Sequence, residues 1–63
     1  MFEFGYIIEI YLGYKLKGYL SGNGKIVDIL FARNYPDEKT AQKIAEKYNA
    51  KNNGYTYKAH KHA

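Results

Sequence analysis

From Phe2 to Leu16 every even position is apolar or aromatic (Phe2, Phe4, Tyr6, Ile8, Ile10, Leu12, Tyr14, Leu16). The odd positions read Glu3, Gly5, Ile7, Glu9, Tyr11, Gly13 and Lys15. Alternation of period two is the spacing of a β-strand, whose successive side chains point to opposite faces. A single straight strand over this run would approach about 50 Å at about 3.3 Å per residue. That is too long for a chain of 63 residues. Gly13 is the place for the bend, because glycine tolerates positive φ. The pattern predicts one strand near residues 4–12 and a second near 14–20.

The remaining elements follow from turn and cap chemistry. Ser21-Gly22-Asn23-Gly24 between apolar runs is a hairpin turn. Lys25 to Arg33 then reads as a third strand, with Val27, Ile29 and Phe31 on one face and Ile26, Leu30 and Ala32 on the other. A strand apolar on both sides is usually central or covered on its second face. Pro36-Asp37-Glu38-Lys39-Thr40 opens a helix, with Asp37 as N-cap and Pro36 keeping Tyr35 extended. Ala41, Ile44, Ala45 and Tyr48 form one helical stripe. Asn49 to Gly54 stops the helix, and Tyr55 to His60 alternates again as a short closing strand. The expected fold is α+β: a small antiparallel sheet in β-β-β-α-β order with one helix packed on one face, residues 1–63 forming a single domain and 58–63 a frayed tail.

A domain this short buries only about 60% of the surface its unfolded chain exposes. With no cysteine, neither a disulfide nor a thiolate metal site staples it, which leaves idealised packing or self-association. A helix offering two alanines, one isoleucine and one tyrosine shields one sheet face. The other would present Ile7, Tyr11, Ile26 and Leu30 to water, and apolar patches of that kind are unusual on soluble monomers. A homodimer or a partner covering the sheet is therefore expected. Absence of cysteine fits a reducing cytoplasm. Glu3 stands where a secretory signal carries basic residues, and Glu3, Glu9, Lys15 and Lys17 interrupt the apolar run too often for a membrane span.

Residues suited to catalysis are few. The two histidines, His60 and His62, lie in the last four positions, and their H-x-H spacing has no cysteine or nearby acid to complete a metal site. Ser21 is the only serine and sits in a glycine turn. The acids Glu3, Glu9, Asp28, Asp37, Glu38 and Glu46 show no pair suited to acid–base work. Gly22-Asn23-Gly24 lacks the third glycine and the following helix of a dinucleotide fingerprint. Lys17-Gly18-Tyr19 departs from the RNA-binding signature at Leu20. No catalytic residue, cofactor or metal is expected, and the chain reads as a non-enzyme.

Charge and tyrosine point instead to binding. The formal net charge is +4, and it is uneven: Glu3 and Glu9 make the first strand acidic, whereas Lys15, Lys17 and Lys25 make the second strand and its hairpin basic. Lys39, Lys43 and Lys47 recur every four residues as a ridge on the helix. Like charges at that spacing cost a few tenths of a kcal/mol each. Eight tyrosines exceed what so small a core needs. Tyrosine combines large contact area with a polar tip and is enriched at interfaces. Among lysines it also stacks on bases.

Taken together, Tyr14-Lys15-Leu16-Lys17-Gly18-Tyr19-Leu20, the Gly-Asn-Gly-Lys turn and the run from Phe31 to Lys47 resemble small accessory proteins of bacteriophages that infect Gram-positive bacteria. The likeness is one of pattern: a strand hairpin, an Ala-Arg-x-aromatic-Pro-Asp segment, a helix with Ala-x-x-Ile-Ala, and a closing strand. It implies a host-interaction role, inhibiting a bacterial enzyme or an antiviral-defence complex such as a CRISPR effector in the host cytoplasm. The lysine excess departs from the acidic, DNA-mimicking type of inhibitor. The expected partner contacts are Tyr14, Lys15, Lys17, Tyr19, Arg33, Tyr35, Lys39, Lys43 and Lys47, with Arg33 suited to a bidentate carboxylate and the tyrosines to desolvated anchors. The alternative is a small basic nucleic-acid-binding protein that uses tyrosine stacking and the lysine ridge.

Overall fold

The structure, a computed structural model, describes residues 5–62. β1 (Gly5–Leu12) and β2 (Lys15–Leu20) are joined through Gly13 and Tyr14. Gly13 has φ +65° at the first position of this two-residue connection, where hairpins of this kind favour glycine. β3 (Ile26–Val27) and a 3-10 turn (Ile29–Phe31) lead to helix α1 (Glu38–Asn49), and β4 (Thr56–His62) closes the chain. The antiparallel sheet has the order β3-β2-β1-β4, so the first strand lies inside it and the last at an edge. The α+β architecture is the one the sequence predicts. Phe2 and Phe4, placed on the even face above, lie outside the described residues, as does Ala63.

The even face of β1 meets the helix. Ile8, Ile10, Leu20, Ala45 and Tyr57 form the buried cluster, with Tyr35, Ile44, Tyr48 and Tyr55 packed around it. Ala41 and Ala45 are both buried, and side chains this small let the helix backbone approach the sheet. Asn49, the last helical residue, ties the helix to the edge strand. Its Nδ2 donates to the Tyr57 carbonyl at 3.0 Å, and the Tyr57 N–H donates to its Oδ1 at 2.8 Å. The Asn49 amide thus satisfies, at one residue, edge groups that would otherwise need another strand or water.

Three expectations are corrected. The third strand is two residues long rather than nine. A bulge explains this: Ile10 pairs with Gly18 and Tyr11 with Leu16, leaving Lys17 as an extra residue in β2. Continuing the ladder from Tyr19↔Val27 would set Asp28 against Gly18 and Ile29 against the bulged Lys17, where regular pairing fails. The chain turns instead, with Phe31 N–H donating to the Asp28 carbonyl at 2.9 Å and Ala32 N–H to the Ile29 carbonyl at 3.2 Å. It rejoins the sheet beyond the end of β2, where Tyr35 and Tyr6 exchange backbone hydrogen bonds of 2.8 and 2.9 Å.

The second correction concerns the uncovered face. Ile7 is 2% exposed, not open to water. It sits on an inner strand, directly across from His60 on β4. Leu30 lies on the 3-10 turn rather than the sheet, and Ile26, paired with Leu20, belongs to the helix side at its unshielded edge. Of the four residues assigned to that face, Ile7 and Tyr11 lie on it, Ile7 buried and Tyr11 half-buried. Third, residues 58–62 are not a loose tail: they pair with β1 as far as Gly5↔His62, because the eight-residue β1 offers partners along its full length.

Asp37 caps α1 as expected, its Oδ1 accepting from the Thr40 N–H at 2.8 Å. That hydrogen bond lowers the carboxyl pKa. A folded-state pKa below the unfolded value of about 3.9 means the stabilisation is present above that pH and is lost as pH falls through the lowered value. Asp37→Asn keeps an acceptor without the titrating charge. The urea midpoint of the wild type is therefore expected to fall more than that of Asp37→Asn between neutral pH and about pH 3. Parallel curves would show that the cap does not titrate.

Candidate binding surfaces

The bulge that shortens β3 also leaves a run of exposed apolar side chains beyond it. The 3-10 turn following β3 holds Leu30 82% and Phe31 70% exposed, with Ile26 and Ile29 about two-fifths exposed beside them in the chain. Successive residues of so tight a turn diverge, so a run this apolar cannot bury every side chain on one side. Arg33 follows, its guanidinium 5.6 Å from the Tyr35 ring centre. Burial pushes the Tyr35 hydroxyl pKa up, with Arg33 partly opposing.

A second surface lies across the sheet from the helix. The register sets Tyr19 against Glu9 and Val27, and Lys58 against Glu9 from the other side. Tyr11 Oη donates to Glu9 Oε1 at 2.9 Å, and this hydrogen bond, with burial and the carboxylate charge, raises the Tyr11 pKa. Lys58 Nζ stands 5.4 Å over the Tyr11 ring, and His60 Nδ1 is 3.9 Å from Glu9 Oε2. At the hairpin end Tyr11, Gly13, Tyr14, Thr56 and Lys58 line an open depression of about 370 Å³. The Tyr14 side chain is fully exposed at the tip of the turn.

The expected contact residues do not form one surface. Tyr14, Lys15 and Lys17 cluster at the hairpin end, all exposed, with Lys17 as the bulge residue. Tyr19 is half-buried on the open sheet face. Arg33 and Tyr35 come together near the apolar turn. Lys39, Lys43 and Lys47 are exposed on the helix, on the side of the molecule away from the open sheet face. Sequence reasoning missed Lys58, because its place over Tyr11 follows only from the β1–β4 register. Lys51, which continues the lysine ridge in sequence, places its Nζ 4.8 Å over the Tyr48 ring.

Among the described residues no three or more His, Asp and Glu side chains gather to hold a metal ion, and no helix is long and apolar enough to cross a membrane. The chain matches no family model, no curated protein and no solved structure.

Proposed function

We propose that this chain is a non-enzymatic binding protein that docks on a macromolecular partner through the apolar turn and acts by occluding it. The observation that carries this reading is the exposure of Leu30 and Phe31 on an ordered turn braced by the sheet. Burying two such side chains is worth about 3–6 kcal/mol together. Exposed aromatic side chains such as Phe31 are enriched at protein interfaces. The resemblance to phage accessory proteins makes a bacterial host or antiviral-defence protein in the cytoplasm the first partner class to test. A second copy of the chain is a competing occupant of the same turn.

Tagged wild-type protein and a Leu30→Asp/Phe31→Asp variant, each passed through host lysate, test the reading. Both residues are largely exposed, so the variant should keep the wild-type circular dichroism spectrum and urea midpoint. The expected result is a stoichiometric protein retained by the wild type and reduced at least about tenfold on the variant, as loss of about 1.4 kcal/mol or more of contact energy requires. Equal recovery on both proteins overturns the assignment to this turn. Concentration-dependent sedimentation that the variant abolishes reassigns the turn to self-association.

A further inference from the structure

We propose that the depression at the hairpin end of the open sheet face is a separate site for single-stranded nucleic acid, in which one base stacks on Tyr14 and Tyr11 and the adjoining phosphate meets Lys58. It lies on a different part of the sheet from the apolar turn and does not rest on that reading.

Shape is the first argument. A volume of about 370 Å³ lies near the lower end of small-molecule sites and suits one base with its sugar. Its lining, two tyrosines with a threonine, a glycine and a lysine, supplies ring faces, a hydroxyl and a cation. Gly13 adds no side chain to the rim, and a Cβ built there would meet nothing within 4 Å. The hairpin turn requires that glycine for its positive φ and at the same time leaves the approach to Tyr14 open.

Charge is the second. Lys58 Nζ lies over the Tyr11 ring, and an exposed lysine can swing from that ring to a phosphate. Lys17, the bulge residue, is exposed at the same end of the sheet, whereas Lys15, paired with Leu12, lies on the other face. Among the described residues Glu9 is the single carboxylate on the paired strands of this face, and it is engaged by Tyr11 Oη and faced by His60. The net charge of +4 adds long-range attraction for a polyanion. An acidic peptide would satisfy the lysines but would leave the exposed Tyr14 ring without a stacking partner. A duplex keeps its bases stacked inside and cannot insert one. Stacking on aromatic side chains with lysines along the backbone is how single strands are held without sequence preference.

Fluorescence anisotropy with labelled single strands of about eight nucleotides, DNA and RNA, and a duplex for comparison, tests the site at about 50 mM salt and above. Single strands should bind more tightly than duplex. Tyr14→Ala should weaken binding about tenfold and Tyr14→Phe should not, since stacking needs only the ring. Lys58→Gln should reduce the salt slope by about 0.7, the value for one phosphate contact on a single strand. Tyr14 is fully exposed, so its variants should retain the wild-type unfolding midpoint. Absence of binding at low salt, equal affinity for duplex, or an unchanged affinity in Tyr14→Ala would overturn the proposal. So would loss of binding in a Lys39→Gln/Lys43→Gln/Lys47→Gln variant with Tyr14 intact, because that would move the contact to the helix.

Discussion

Ile10→Ala is expected to lower the unfolding free energy by about 2–5 kcal/mol, the range for truncating a fully buried aliphatic side chain. Ile10 is 0% exposed and sits in the cluster with Ile8, Leu20, Ala45 and Tyr57. A domain of this size has about 3–9 kcal/mol in all. The variant should therefore lose a large share of that stability and unfold at a much lower urea concentration than the wild type. Ile10→Val, which removes one methylene, should cost about 0.5–1.5 kcal/mol and remain folded. Ile29→Ala removes a side chain that is 39% exposed and should shift the urea midpoint far less than Ile10→Ala. Equal shifts at Ile10 and Ile29 would mean that the even face of β1 is not the centre of the core.

The contrast between those two isoleucines shows what the sequence could and could not convey. Alternation located β1 because Ile8 and Ile10, at its centre, are fully buried on the helix side of the sheet. Asp37, Gly13 and the Ser21–Gly24 turn were legible because caps and turns depend on local geometry, which nearby residue types determine. Ile26 to Phe31 carries the same apolar density, but its fate depends on a neighbour distant in the chain. The extra residue at Lys17 ends the ladder, and nothing within residues 26–31 records it. The Leu16 side is affected likewise: Leu16 pairs with Tyr11, so the bulge moves it off the face shared by Ile8 and Ile10. Period-two reasoning assumes an uninterrupted ladder, and one inserted residue inverts every assignment beyond it.

The binding surfaces divide along the same line. Exposure of Tyr14 follows from its place in a two-residue turn, and the lysine ridge follows from helical spacing. Lys58 over Tyr11 and Arg33 beside Tyr35 differ from each other in this respect. Residues 33 and 35 are two apart on an extended segment, so their approach is local and readable. Residues 11 and 58 meet only through the β1–β4 register, which pairs Glu9 with Lys58 and Tyr11 with Thr56.

Gly18→Ala is expected to be the most damaging single-methyl addition to the chain. A Cβ at Gly18 would lie 2.7 Å from Ile26 Cγ2 and 2.9 Å from the Val27 carbonyl oxygen, and the residue has φ +156°. Ile26 is a side chain on a short edge strand and can shift, but the Val27 oxygen is backbone, so relief requires moving β3. Overpacking costs about 1–3 kcal/mol, and an L residue held in this region of φ costs about 1–3 kcal/mol more. The strain falls where β2 and β3 meet, so hydrogen exchange should show lost protection at the Tyr19 and Val27 amides, with Ile10 and Tyr57 affected only through global stability. The 3-10 turn that carries Leu30 and Phe31 is separated from β3 by Asp28 alone and would lose its brace. Partner retention through the apolar turn should then fall although neither side chain has changed, whereas Leu30→Asp/Phe31→Asp removes the contacts and leaves the exchange pattern intact. A Gly18→Ala protein with wild-type protection at Val27 and undiminished partner retention would show that the bulge does not position the turn.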